Sequence, residues 1–471
     1  MTRSKSSRAQ PSCGRFRQGE IPFCLRQRSD LPRSHLFWQW FRGPIPLLGV
    51  VAVLLPLTPT WANDQAQAPA SASLPPPAAT PASAAVAPAS PPVGPPAPSP
   101  MPWPGMSAGL AANPHPANFD AGPFGKITVD GVLSGLALTQ SHPALDFFGN
   151  QNKHSYADVS NAQVIINKSS GVVQFYIQAG AYSLPALGTP YLKAVNSGNS
   201  GTFGATEKFF GPVPQGFLKI APNANFSVEA GALPTLQGAE YTFTFENYNI
   251  ERGLLWNQEN AVNRGVQANF TAGHLTGSVA FTDGYFSRKY NSISGLLTYT
   301  FKNSDTLSLV GQGELSTVNK NTLATPVAQA NSRLFNVIYS HTSGKWTVSP
   351  YFQYTSVPSN TATRAAAPFG GSGSGSTIGA ALFVKYAATP QFSVSTRGEY
   401  ISSRGSANLL YGPRSRAFSL TVTPTYQRGI FFIRGEASYV ATSAGTPGLI
   451  FGANGLNRKQ GRLMAEAGVL F

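Results

Sequence analysis

Five histidines follow residue 62: His115, His142, His154, His274 and His341. Imidazole can ligate zinc or relay a proton, but either task needs a partner at a set spacing. No His-Glu-x-x-His pair occurs. His142 and His154, with Asp146 or Asp158, share one stretch that reads as a long loop, where histidines are ordinarily solvated. The run Gly370-Gly-Ser-Gly-Ser-Gly-Ser376 contains the letters of a hydrolase elbow only as a low-complexity repeat, without a strand-to-helix setting. No Lys-Ser/Thr follows it, so it is no phosphate loop either. These residues nominate neither a catalytic nor a metal site, and no cofactor. What recurs instead is charge. Arg397-Gly-Glu399 and Arg434-Gly-Glu436 each set opposite charges two residues apart, which on a strand places them on one face. Such pairs can brace a wall by cross-strand salt bridging, or line a channel and orient passing dipoles.

The elements that hold these pairs are strands. In Ala417 to Tyr426 the apolar Phe418, Leu420, Val422, Pro424 and Tyr426 alternate with Ser419, Thr421, Thr423 and Thr425. Gly171 to Tyr182, Ser292 to Lys302, Lys345 to Thr355 and Phe392 to Tyr400 alternate in the same way. Each run has about 9 to 12 residues, the length a tilted strand needs to cross a bilayer, whereas strands of soluble sandwiches run nearer 5 or 6. Ionisable residues fall on the polar face: Lys219, Glu229, Glu314, Lys385, Arg397, Glu399, Arg434, Glu436, Arg462 and Glu466. A charge facing lipid at mid-depth costs about 2–4 kcal/mol, so this parity separates a lipid face from a wet lumen.

Connection lengths alternate too. Short turns are expected at Lys168–Ser170, Pro222–Ala224, Gly273–His274, Asn303–Ser304, His341–Gly344, Ala387–Pro390 and Arg428–Gly429. Long loops are expected at 140–159, 183–215, 234–262, 284–291, 316–330, 356–376, 401–414 and 440–457. Seven short turns and eight long loops close on about 16 strands of an all-β, transmembrane antiparallel barrel, with short periplasmic turns, longer outer loops and both termini in the periplasm. The last strand carries Leu463, Ala465, Ala467, Val469 and Phe471 on one face. It resembles the signal by which outer-membrane barrels are recognised by their assembly machinery, with Phe471 as its anchor.

Composition and leader agree. Charged residues are only 11% and mean hydropathy is -0.09, so apolar residues must interleave with small polar ones. The net charge of +15 is concentrated early: residues 1–42 hold nine basic and two acidic side chains. No basic run interleaves with stacking aromatics, which excludes a nucleic-acid partner. Gly43 to Leu57 is an apolar run too short and Pro-broken to span a bilayer. Thr60-Trp61-Ala62 follows it, so residues 1–62 read as a signal peptide with a long basic n-region, cleaved between Ala62 and Asn63. Cys13 and Cys24 are the only cysteines; both precede the cleavage point, which leaves no disulfide framework. Residues 63–123 read as a disordered Ala/Pro-rich periplasmic linker, and 124–471 as the barrel.

Within the barrel region, Phe226 to Phe301 carries Gly231-Ala-Leu-Pro-Thr-Leu-Gln-Gly-Ala-Glu240, Asn247-Tyr-Asn-Ile-Glu-Arg-Gly-Leu-Leu255, Asn263-Arg-Gly-Val-Gln-Ala-Asn269 and Thr282-Asp-Gly284. This segment resembles the putative β-barrel porin-2, OmpL-like family. Gly253 stands where that family usually has Ser, and Arg264 precedes Gly265 where Thr is more usual. The resemblance implies a porin-like function and nominates no catalytic residue.

The third long loop, Pro234 to Val262, combines Glu240, Glu246, Glu251, Arg252 and Glu259 with Tyr241, Phe243, Phe245, Tyr248 and Trp256. Two readings are open. Part of it extends the flanking strands as an outer hairpin, or it folds into the lumen, as third loops do in porins. Arg264 is counted with the lumen on the strand that follows. Lys219, Arg264, Lys385, Arg397, Arg434 and Arg462 then face Glu229, Glu314, Glu399, Glu436 and Glu466, near balance, so selectivity should be weak and at most slightly anionic. The leading function is passive diffusion of small hydrophilic solutes. A structural or adhesive barrel that binds ligands through its outer loops, without significant conductance, is the alternative. A barrel enzyme would need a His, Ser and acid set at one rim, which is not found. Nothing in the pattern decides between a single barrel and a homo-oligomer.

Overall fold

The computed structural model describes residues 109–145, 152–195, 204–367 and 370–471. The expected signal peptide, its cleavage point at Ala62–Asn63, most of the linker and Asp146 lie outside the described residues.

Seventeen strands follow in chain order: β1 Ala117–Asp120, β2 Lys126–Gln140, β3 Ser155–Lys168, β4 Val173–Tyr182, β5 Gln215–Asn223, β6 Phe226–Pro234, β7 Val262–Ala272, β8 Leu275–Thr282, β9 Ser292–Thr300, β10 Thr306–Glu314, β11 Arg333–Ser343, β12 Trp346–Val357, β13 Gly375–Ala387, β14 Phe392–Gly405, β15 Arg416–Arg428, β16 Phe431–Thr442 and β17 Lys459–Leu470. Every strand from β2 onward pairs antiparallel with the next. β17 returns to β2 in a register running from Arg462↔Gln140 to Leu470↔Val132. β1 forms only a short hairpin with the start of β2 (Ala117↔Val129 to Asp120↔Lys126). Sixteen strands therefore close the wall, and closure removes the unpaired edges that an open sheet would present.

The seven connections at one end are short and the eight at the other are long, as the alternation of turn residues predicts. Side-chain parity also holds. Leu420 is 45%, Ile433 55% and Leu463 59% exposed on the outer face, whereas Ser419, Thr421 and Thr423 are fully buried on the inner face. Outward aromatics gather toward the short-turn rim: the Tyr299 and Phe301 rings lie 5.0 Å apart, and those of Trp346 and Tyr386 4.5 Å apart. An aromatic girdle over an apolar band is the pattern of a bilayer-spanning barrel. No described helix is long and apolar enough to cross a membrane.

Two departures follow from contacts that sequence pattern does not carry. The linker was expected to run to residue 123 without structure, yet β1 and the segment from Gly109 to Ala111 pack on the barrel. Arg264 was placed on the lumen side, but it shares the outward parity of Val266 and Phe270. It is opposite Ala232 in the ladder, at the long-loop end of β7. Asp283 explains its place: the Arg264 guanidinium meets Asp283 Oδ2 at 2.6 Å and stacks on Phe286 at 3.8 Å. A charge at the rim, paired and covered by an aromatic ring, avoids the mid-membrane cost.

The seam between β17 and β2 ends on Phe471, whose N–H donates to Gly131 O at 2.9 Å and whose carbonyl accepts from Gly131 N–H at 2.7 Å. Truncating Phe471 removes both bonds from the strand pair that closes the ring. We expect the truncated protein to reach the membrane fraction as heat-modifiable, folded barrel at a markedly lower level than the full chain. Wild-type levels of folded barrel would mean that the seam closes without it.

Candidate functional site

Pro234 ends β6 and Val262 begins β7, and the residues between them turn into the barrel rather than out of it. The reason lies in their composition. Tyr241, Phe243, Tyr248, Ile250, Leu254 and Leu255 are buried, and an outward loop of that character would leave a large apolar surface wet. Inner-face residues of the wall supply the cover. Tyr248 and Leu255 pack with Ile338, Tyr351, Ala381 and Phe383 of β11 to β13.

Polar bonds then tie the loop to seven consecutive strands. Gly238 N–H donates to Asn336 Oδ1 on β11 at 3.1 Å. Tyr351 on β12 donates to Glu259 at 2.6 Å, and Gln258 on the loop donates to Thr377 of β13 at 3.2 Å. On β14, Arg397 Nη1 reaches Glu240 Oε1 at 2.6 Å and the Glu251 carbonyl at 2.8 Å. Asn249 donates to Thr423 of β15 at 2.7 Å. On β16, Glu436 accepts the backbone N–H groups of Ile250 (2.5 Å) and Glu251 (3.0 Å), and Arg434 donates to the carbonyls of Asn247 and Thr244. On β17, Arg462 meets Glu251 Oε2 at 2.8 Å and Glu466 accepts from Thr244 Oγ1 at 2.7 Å.

The two Arg-Gly-Glu motifs thus serve different partners. Arg397 bonds Glu399 within its own strand at 3.1 Å as well as the loop. Arg434 instead bonds Glu466, its direct cross-strand partner, leaving Glu436 to anchor loop backbone. Lys219 and Glu229, also opposite each other in the ladder, pair at 3.3 Å. Lys385 sits 4.9 Å above the Tyr248 ring. Glu314 lies at the long-loop end of β10 and accepts from Gln312 at 2.9 Å. The structure therefore brings Glu240, Glu251, Arg397, Glu399, Arg434, Glu436, Arg462 and Glu466 into one buried network, with Lys219–Glu229 and Glu314 apart from it.

Gly253, the departure from the usual Ser, has a physical reason here. A Cβ at that position would stand 2.2 Å from Glu399 Oε1, so a larger residue here requires the Glu399 carboxylate, which bonds Arg397 and Leu255 N–H, to shift. Arg252 is fully buried, and its guanidinium has no hydrogen-bond partner among the described residues. It stacks 4.8 Å from Trp256. Burial pulls its pKa down to about 10, against the pull of Glu240, Glu246 and Glu251, so it stays charged at neutral pH. Burial also pushes the loop carboxyls up: Glu240 to about 7 despite Arg397, Glu246 to about 7 despite the Phe243 N–H, and Glu259 to about 8 despite the Tyr351 hydroxyl.

Residues that alternation could not single out complete the site. Asn161, Asn336, Tyr351, Gln353, Thr423 and Ser438 contact the loop, yet each is one more polar or aromatic inward position in the pattern. The second long loop enters as well: Leu187 N–H donates to Arg252 O at 2.8 Å, and Arg252 N–H to Pro185 O at 3.1 Å. His142, His154 and Asp158 form no metal cluster among the described residues; His154 Nδ1 lies 3.0 Å from the Gln140 carbonyl, and Asp158 accepts from Tyr191.

A family model described as "Putative beta-barrel porin-2, OmpL-like" matches residues 126–471. No curated protein shows significant sequence similarity. Among solved structures, an anion-selective porin from Comamonas acidovorans is 10% identical, with a TM-score of 0.49, over 73% of this chain and 99% of that one. OmpT of Vibrio cholerae is 10% identical (TM-score 0.47; 74% and 98%), and the channel DcaP of Acinetobacter baumannii 9% identical (TM-score 0.46; 73% and 97%).

Proposed function

The chain belongs to the putative beta-barrel porin-2, OmpL-like family, and from that premise we propose that it is an outer-membrane channel for passive diffusion of small hydrophilic solutes, constricted by its inward third loop. One observation carries the reading: a closed ring, apolar outside, is crossed inside by a charged loop bonded to β11 through β17. A wall of about 16 strands is wide enough for an aqueous path, and the loop sets how much of it stays open. The short-turn end belongs in the periplasm, where β2 begins and β17 ends. The barrel assembly machinery reads the Phe471 strand. The carboxylates and guanidiniums gathered in the lumen suit a field across a diffusion path, and the family is one of porins, so we read the barrel as a transporter rather than an enzyme.

The inward loop changes the expected selectivity. With Arg264 on the outer face, the wall residues named above balance at five basic and five acidic: Lys219, Lys385, Arg397, Arg434 and Arg462 against Glu229, Glu314, Glu399, Glu436 and Glu466. The loop adds Arg252 against Glu240, Glu246, Glu251 and Glu259, so six basic groups meet nine acidic ones when all are charged. Carboxyls held up to about 7, 7 and 8 are largely neutral below those values and ionise as pH rises through them. The pore should therefore shift toward cations as pH rises. Reversal potentials across a KCl gradient at successive pH values measure this. A pH-independent reversal potential, or a shift toward anions at high pH, would remove the loop carboxylates from the conduction path.

A further inference from the structure

Besides the apolar inner-face residues that cover Tyr248 and Leu255, a separate apolar cluster stands at the short-turn end of three adjacent strands. Val132 of β2, Phe432 of β16 and Leu470 of β17 all point inward, and all are buried. Their cover is Leu110, only 6% exposed, which packs against the three together with Phe245 of the third loop. The backbone on either side of Leu110 is held as firmly. Gly109 N–H donates to the Glu246 carbonyl of the third loop at 3.2 Å. The Gly109 carbonyl lies 3.4 Å from Lys385 Nζ. Gln427, at the short-turn end of β15, accepts from Ala111 N–H and donates to Ala111 O, both at 2.8 Å. The fit also requires glycine at 109, because a Cβ there would sit 1.8 Å from the Asn247 carbonyl oxygen.

We propose that residues Gly109 to Ala111 are a latch: the chain's own segment ahead of the barrel seats in the short-turn mouth, pins the Glu246–Asn247 part of the third loop, and holds the channel in a restricted state that its release widens. The geometry is that of a short docked segment. One apolar side chain fills an apolar pocket while the flanking backbone groups find polar partners, a mode by which short segments bind grooves specifically. The occupant is covalently attached, so its effective concentration at the mouth is high and the latched state is the resting one. The loop is bonded to the wall along its length, but at Glu246 and Asn247 its backbone also meets the latch. Removing the latch frees that part of the loop and uncovers the apolar patch, leaving a wider path at the mouth.

The proposal rests on the channel reading above, and its test separates the two. In planar bilayers the full-length Leu110→Asp and Gly109→Val variants should each raise unitary conductance, or the fraction of time spent in the largest state, by about two-fold or more. His115→Ala, on an exposed residue of the same segment, should conduct as the wild type does. Because either latch variant could disturb assembly, a second arm uses Leu110→Cys with Phe432→Cys in the cleaved protein, which lacks other cysteines. A short bis-methanethiosulfonate linker should join the pair and hold conductance at the latched, wild-type level, and dithiothreitol should raise it, because the segment then no longer fills its apolar pocket. Wild-type conductance in Leu110→Asp, or no rise when the linked pair is reduced, would overturn the latch. Failure of the pair to link in folded barrel would overturn its placement in the mouth. Efficient linking in a protein that never conducts would instead overturn the channel reading.

Discussion

Excising Thr242 to Gln258 and bridging the gap with a short Gly/Ser segment should raise unitary conductance by about two- to five-fold, and should admit larger solutes, because the wall alone is wide enough for an open aqueous channel. The barrel should survive the excision. Arg434 keeps Glu466 and Arg397 keeps Glu399 within the wall, while Glu436 and Arg462, which lose loop partners, come to face water rather than a dry interior. Ile338, Tyr351 and Phe383 lose apolar cover, so some stability is expected to go as well. Liposome swelling with sugars of graded size measures the cut-off, and single-channel recording the conductance. An unchanged cut-off and conductance in a folded, heat-modifiable barrel would place the constriction elsewhere.

Leu420→Arg should destabilise the barrel by about 2–4 kcal/mol in a bilayer, the cost of a guanidinium facing lipid at mid-depth. Leu420 is half-exposed on the outer face in the middle of β15, and its ladder partners Gly398 and Tyr439 offer no acid to pair with. The natural inner-face comparison, Thr421→Arg, is unsuitable, because Thr421 is fully buried and accepts from Arg397 at 3.3 Å. Ser393→Arg at the short-turn end of the inner face serves better, and should be near neutral. Urea titration of protein refolded into lipid vesicles gives both differences. Equal costs at the two sites would mean that the outer face of β15 does not meet lipid.

Most of the architecture was legible because a transmembrane barrel states its rules in a period of two. Phe418 to Tyr426 shows which side is which. The short turns at Gly273–His274 and Arg428–Gly429 punctuate the strands, and the alternation of short and long connections gives the count. Arg264 was misplaced because parity near a strand end depends on where the ladder stops, and Asp283, nineteen residues on, decides it. The charge balance is read differently once the loop is placed, for a related reason. A strand's inner face can be read by counting, but whether a loop's charges join it depends on a fold back across the barrel. The aromatic content of Tyr241 to Trp256 showed that the loop needs cover without showing where. The partners that provide it, such as Asn336, Tyr351 and Thr423, stand among many inward polar positions of equal rank. The Leu110 contact was beyond reach, since Gly109-Leu-Ala111 lies in a Pro-rich stretch whose composition describes a spacer. Only the apolar trio Val132, Phe432 and Leu470, brought together by closure of β17 on β2, gives that leucine a place.

The central claim is that this barrel conducts through a loop-restricted lumen, and single-channel recording of the purified full-length protein, alone in a planar bilayer with KCl on both sides, tests it most directly. Discrete, reproducible current steps, smaller than those of the loop-excised variant and more cation-selective at high pH, are the predicted result. A silent bilayer containing demonstrably folded and inserted barrel would contradict the account and leave a structural or adhesive barrel in its place.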